Sequence, residues 1–226
     1  LIAIVGDNTW QLMKAKKAIK ANWEVVSELE NSDMHLKRLE NDLVSGRVEE
    51  SRNDGNPEAA FEKAVKVIER SYSSPFMAHN TLEPMNFFAN VTDTSAELIG
   101  PTQTPKALET AVSNLLDMPI ENISVDMTRM GGGFGRRLYT HFGVEAAAIS
   151  KKLGAPVKLI YTREDDMTTG IYRPAYLATY RAALDENNKL IAFHVNAGGI
   201  PESPLFANRF PAGAVDHYLA EAWTAS

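Results

Sequence analysis

The residues best suited to chemistry form one run, Met130-Gly131-Gly132-Gly133-Phe134-Gly135-Arg136-Arg137. Neighbouring glycines let the backbone take positive φ and approach a ligand with no Cβ in the way. Their N–H groups can converge on an oxyanion, helped by the positive end of a following helix. Arg136 and Arg137 add fork-shaped donors for phosphate or carboxylate. The spacing fits neither Gly-x-Gly-x-x-Gly nor the P-loop, since no Gly-Lys-Ser/Thr follows. Chemistry alone therefore leaves two readings open, an anion or cofactor loop and a tight structural turn.

Other chemically capable residues are weaker. His79 and Glu83 have the i, i+4 spacing of a metal pair, but Pro84 disfavours the helical region at Glu83. His141, His194 and His217 have no ligand spacing. Glu164-Asp165-Asp166 could be an acid pair or a magnesium site; as three acids after Arg163 they read better as a solvated helix N-terminus. Trp10, Trp23 and Phe61 are assigned to the core.

The elements that must position the glycine run follow from periodicity and punctuation. Residues 123–127 read as a strand entering it, and residues 138–153 as a helix leaving it, stopped by Gly154. Thr104-Pro105 starts a helix carrying Leu108, Val112 and Leu115. Residues 87–91 and 97–99 suit a strand pair turning at Asp93, and residues 157–161 another strand. Residues 175–184 and 189–198 form a hairpin around Asp185-Glu186-Asn187-Asn188. Upstream, residues 1–5 and 22–26 suggest strands, with helices to about residue 20 after the Asp7-Asn8-Thr9 cap and over residues 32–44. Residues 51–58 read as a linker and domain boundary, and residues 64–72 as a strand. The class is α+β, or mixed α/β.

Composition narrows the partners. Lys and Arg number 23 against 29 Asp and Glu, a formal charge of −6, which argues against a general nucleic-acid or anionic-membrane binder. With no cysteine, the chain offers no disulfide, thiolate metal site, cysteine nucleophile or iron–sulfur ligand set. The apolar opening Leu1–Val5 is far short of the ~20 residues that cross a bilayer, and, without an initiator Met, reads as a chain cut from something longer.

Several motifs resemble one family in order and spacing. Gly131–Gly135 resembles the signature loop of the xanthine dehydrogenase and aldehyde oxidase superfamily, and the following Arg136-Arg137 resembles its isoquinoline 1-oxidoreductase type. His79-Asn80-Thr81-Leu82-Glu83-Pro84 resembles the family's His…Leu-Glu-Pro stretch, and Gly100-Pro101-Thr102-Gln103 its Thr-Gln segment. Pro156-Val157-Lys158-Leu159 and Thr162-Arg163-Glu164-Asp165-Asp166 resemble the segments that follow the helix.

The resemblance implies residues 1–57 as the end of a hammerhead-like α/β domain and linker, and residues 58–226 as the truncated start of a molybdopterin-binding domain. It implies hydroxylation of aldehydes or N-heteroaromatics with oxygen from water. The pterin would carry molybdenum and, as is usual in bacterial relatives, a cytosine dinucleotide. Electrons would leave through a small subunit with [2Fe–2S] clusters, a cytochrome being one acceptor it implies. Gln103 would bond near the oxygen ligands of the metal, and Phe134 and Gly135 would present N–H groups beside it. Gly132 and Gly133 would permit close approach, and Arg136 would face a phosphate or a neighbouring acid. Purine-oxidising members carry a glutamate where this chain has Leu138, which favours an apolar ring or an aldehyde. The general-base glutamate falls outside these residues, so no catalytic residue and no protein-held metal is expected here, and the piece alone should be silent. The alternatives are a non-catalytic binding module that kept the fold and a phosphate binder using the glycine loop alone. The zero cysteine count is compatible with periplasm or cytoplasm.

Overall fold

The structure, a computed structural model, describes residues 2–25, 30–45, 48–168, 172–199 and 219–225. In chain order the first elements are α1 (Thr9–Ala18), α2 (Ser32–Ser45), β1 (Val48–Asn53), α3 (Pro57–Glu62) and β2 (Lys66–Ser74). Next come β3 (Asn86–Val91), β4 (Ala96–Gly100), α4 (Pro105–Leu116), β5 (Ile123–Met127), α5 (His141–Leu153) and β6 (Val157–Ile160). The chain closes with α6 (Arg163–Thr168), β7 (Tyr176–Leu184), β8 (Leu190–Gly199) and β9 (Leu219–Ala225). Among the described residues this is an α+β fold with two mixed sheets, ordered β5-β4-β3-β6 and β1-β9-β8-β7-β2.

The four-stranded sheet holds the main core because its strands alternate. On β3, Phe87, Ala89 and Val91 are buried, while the residues between them are only half-buried. Leu98 on β4, Leu108 and Val112 on α4, and Phe142, Ala146 and Ala147 on α5 complete the cluster. Burying each of the larger side chains stabilises the fold by about 1.5–3 kcal/mol. Gly143 lets α5 approach α4, since a Cβ there would lie 2.7 Å from a Leu108 methyl.

Local signals set the helix ends. Pro105 occupies the first turn of α4, and Asp117 closes it in the left-handed region at φ 52. Gly154 ends α5 at φ 66, and its N–H bonds back to Ser150. Asn8 caps α1 by accepting the Gln11 N–H. In the β7–β8 hairpin, Asp185 Oδ1 accepts from the N–H groups of Asn187 and Lys189.

The N-terminal region departs from expectation. Residues 2–6 and 22–25 are not strands, and Leu1 and residue 26 lie outside the described residues. Ile2 and Val5 are exposed, and no strand among the described residues pairs with them. Trp10 and Trp23 are 67% and 76% exposed, so neither is core; α1 buries no residue. Phe61 is half-buried beneath the Arg181 guanidinium, 4.8 Å from its ring centre. Where residues 51–58 suggest a linker, β1 ends and α3 begins. The partner of β1 is β9, near the opposite end of the sequence, and such a distant pairing leaves no local signal. Both α2 and α3 pack on β8. No helix among the described residues is long and apolar enough to cross a membrane.

Candidate functional site

The glycine run lies between β5 and α5, as its strand-to-helix setting requires, but the helix starts later than residue 138. Residues 136–138 form a single 3₁₀ turn, and α5 begins at His141. Three residues of the run hold positive φ: Gly132 at 102, Phe134 at 53 and Gly135 at 97. Phe134 does so with a side chain, a conformation uncommon outside glycine and asparagine. At two positions a Cβ would force a neighbour to move. One on Gly131 would stand 2.6 Å from Glu83 Cβ, and one on Gly133 would stand 2.5 Å from Gln103 Oε1.

Gln103, in the loop between β4 and α4, is exposed and joined to the glycine run. Its Oε1 accepts from the N–H groups of Gly135 and Arg137, both at 3.3 Å, and its own N–H donates to the Arg137 carbonyl at 3.0 Å. Its amide nitrogen makes no hydrogen bond among the described residues. The neighbouring Thr104 leaves α4 without a side-chain cap because its hydroxyl donates to the Leu138 carbonyl at 2.8 Å. The Gly135 N–H is therefore donated within the protein. Among the described residues, the successive N–H groups of Gly132, Gly133 and Phe134 donate to none. Successive unpaired amides on a backbone that changes hand form a concavity suited to anionic groups.

Both arginines are buried, which sequence reasoning missed. Arg137, fully buried, donates from Nε to the Gly132 carbonyl at 2.8 Å and from Nη2 to the Glu83 carbonyl and carboxylate, each at 2.9 Å. The same carboxylate accepts the Gly131 N–H at 2.7 Å. Burial lowers the Arg137 pKa, while the charges of Glu83 and Asp166 oppose that shift.

Arg136 faces an acid. Its Nε lies 3.3 Å from Asp166 Oδ1, an ionic contact without hydrogen-bond alignment, and both side chains are 2% exposed. Arg163 approaches the other Asp166 oxygen at 3.5 Å. Arg136 Nη1 lies 3.1 Å from His141 Nε2; since a guanidinium only donates, Nε2 accepts and the ring proton sits on Nδ1. Burial, reinforced by Arg136, pushes the His141 pKa down to about 4.

The acidic triplet is therefore not uniformly solvated. Glu164 is exposed, but Asp165 closes a capping box with Thr162 and pairs with Lys16. Burial pushes the Asp165 pKa up, yet its bonds to Lys16 and Thr162 win, leaving it lowered. Asp166 is buried under Arg136. Glu83 is committed to Arg137, Gly131 and Asn86, not to a metal with His79. No three His, Cys, Asp or Glu side chains among the described residues are grouped to hold a metal. His194, whose pKa burial and Arg181 lower, lies on β8 outside this network, and His217 lies outside the described residues. A shallow apolar groove lined by Ile68, Tyr72, Tyr180 and Phe193 lies on the five-stranded sheet, on elements other than the glycine run.

Nothing local in the sequence signals the Glu83–Arg137 or Arg136–Asp166 pairs. The one usable hint was two adjacent arginines in a segment otherwise headed for a core helix.

The sequence matches the family described as molybdopterin cofactor-binding domain over residues 39–199, a match that begins inside α2. The chain is 27% identical over 218 residues to the membrane-bound aldehyde dehydrogenase (pyrroloquinoline-quinone) of Gluconacetobacter polyoxogenes, covering 95% of this chain and 28% of that protein. It is 26% identical over 223 residues to isoquinoline 1-oxidoreductase subunit beta of Brevundimonas diminuta, covering 93% of this chain and 29% of that one. It thus spans less than a third of these relatives' length. Among solved structures, quinoline 2-oxidoreductase from Pseudomonas putida 86 shares the fold, with TM-score 0.59 at 17% identity, over 82% of this chain and 27% of that one. Carbon monoxide dehydrogenase from Oligotropha carboxidovorans gives TM-score 0.53 at 27% identity, over 59% and 17%. With its glycine loop opening toward α5 and most of its length matched, this chain belongs to the molybdopterin cofactor-binding domain family.

Proposed function

We propose that the protein containing this chain is a molybdenum hydroxylase that oxidises aldehydes or N-heteroaromatics. The observation that carries the reading is the row of N–H groups at Gly132, Gly133 and Phe134 without partners among the described residues, in a loop where a Cβ on Gly131 would stand 2.6 Å from Glu83 Cβ. A pterin-held molybdenum supplies two-electron redox chemistry, so that substrate C–H and water become C–OH with two electrons and two protons released. The chain's own part is to bind and orient. Gly132, Gly133 and Phe134 offer backbone donors, Gly135 supplies the turn, and the Gln103 amide nitrogen is positioned by its oxygen's bonds to the loop. Arg136 supports the loop from beneath through Asp166. Leu138, in place of an acid, suits an apolar ring or an aldehyde substrate.

In this reading, residues 58–226 form the first part of the cofactor domain. Residues 1–57 end the preceding one, and their α2 packs on the five-stranded sheet. The pterin carries a cytosine dinucleotide, and a small subunit with two [2Fe–2S] clusters takes the electrons, an arrangement that suits a chain without cysteine. Metal and pterin analysis of the full-length protein tests the reading. Near-stoichiometric molybdenum with a cytosine-nucleotide pterin is expected. Absence of molybdenum, in cells that load other molybdoenzymes, would overturn it.

A further inference from the structure

We propose that Glu83 and Arg137 are positioning residues, an ion-pair clamp that sets the backbone of the glycine loop and so the direction of its free N–H groups. The inference deepens the cofactor reading above and rests on it. Both ends of the loop meet on Glu83. Its carboxylate takes the Gly131 N–H and the Arg137 guanidinium, its carbonyl takes Arg137 Nη2, and its N–H donates to the Gly131 carbonyl at 3.1 Å. Arg137 then reaches back to the Gly132 carbonyl. Glu83 is itself fixed, by Thr81 Oγ1 on its carbonyl at 2.7 Å and Asn86 Nδ2 on its other carboxylate oxygen at 2.9 Å.

The clamp uses the Gly131 N–H and the carbonyls of Gly131 and Gly132, and so leaves the next three amides without internal partners. Burial stiffens the Arg137 half, whose side chain is 0% exposed, while the Glu83 side chain, 32% exposed, is held by Asn86. A guanidinium is needed for this geometry, because one planar fork serves two carbonyls and a carboxylate at once.

The test uses the full-length protein with Glu83→Gln, Glu83→Asp, Arg137→Lys and Arg137→Met, measured by molybdenum content, Mo(V) resonance and amide hydrogen exchange. Glu83→Gln and Arg137→Met are expected to lower molybdenum content at least fivefold and to speed exchange at least tenfold at Gly131, whose N–H the clamp holds, with β3 and α5 unchanged. Arg137→Lys, which keeps the charge but not the fork, should fall between them and wild type. Glu83→Asp keeps the charge and the fold, and should speed exchange at Gly131 and shift the Mo(V) resonance of whatever metal is bound. Wild-type exchange in the loop of folded Glu83→Asp and Arg137→Lys proteins would overturn the clamp, as would wild-type molybdenum content in Glu83→Gln. If wild-type protein carries no molybdenum, the cofactor reading fails, and the exchange measurement still decides whether the clamp sets the loop.

Discussion

Replacing Asp166 by Asn tests whether the floor beneath the glycine loop is electrostatic. The change keeps size and shape but leaves the Arg136 guanidinium, 2% exposed, without its acid. Arg163, 37% exposed, can turn to water; Arg136 cannot. Removing one partner of a buried pair costs about 3–5 kcal/mol, and the lower end applies because the contact holds no aligned hydrogen bond that would be lost with the charge. At about 2–4 °C per kcal/mol for a chain of this size, the midpoint of thermal unfolding should fall by about 6–12 °C. A buried pair is poorly screened, so the drop should persist in high salt. Adding Arg136→Met to the Asn variant removes the stranded charge and should recover at least half of the loss. A drop equivalent to under about 1 kcal/mol, or a second substitution that adds to the first instead of offsetting it, would refute the argument that Arg136 is held by this acid.

Other expectations follow from the same geometry. His141 titrates near 4 in the fold against 6.5 for its ordinary value, so below pH 6.5 the unfolded chain binds the extra proton and stability falls as pH falls. At ~1.4 kcal/mol per pH unit, the loss between pH 6.5 and 4 is about 2–4 kcal/mol, and urea unfolding of His141→Gln should show a shallower decline than wild type. Gly133→Ala drives a methyl against the movable end of Gln103. Its cost should be the two Gln103 bonds, about 1–3 kcal/mol together, and Gln103→Ala in the same background should make Gly133→Ala nearly silent to calorimetry. Gly143→Ala gains helix propensity of about 1 kcal/mol but overpacks Leu108, and should be net destabilising in the same assay unless Leu108→Val accompanies it. Lys16→Met breaks a half-exposed pair worth about 0–1 kcal/mol; the melting point should barely move, while limited proteolysis within α1 should quicken.

Elements whose causes are local were legible in the sequence. Thr104-Pro105, Gly154 and Asp185–Asn188 each act within a few residues, and the helix, stop and hairpin they announce are present. The strand pair expected at residues 87–91 and 97–99 is likewise present as β3 and β4. Apolar runs alone misled, because the strands expected at residues 1–5 and 22–26 depend on a partner for their edges, and Trp10 and Trp23 on a surface to cover them. The loop was found by its glycines, but its support was not. Glu83 and Arg137 are 54 residues apart, and Asp166 meets Arg136 from a short helix beyond β6. Charged residues are so often exposed that single-sequence reasoning put Asp166 in water.

The order of the strands bears on how the molecule assembles. Residues 86–160 contribute every strand of the four-stranded sheet, whereas β2 must wait for β7, which begins about a hundred residues later. Closing short loops precedes closing long ones, so the inner sheet with α4 and α5 should form first, with the glycine loop already in place inside it. Glu83 and Asp166 stand just outside its two ends. As nascent chain leaves the ribosome, Glu83 is thus available from the start, while Arg136 gains its counter-charge only once α6 has been made. Until then the loop is held by Glu83 and Gln103 alone, and the Arg136 charge stands without the acid it has in the finished fold.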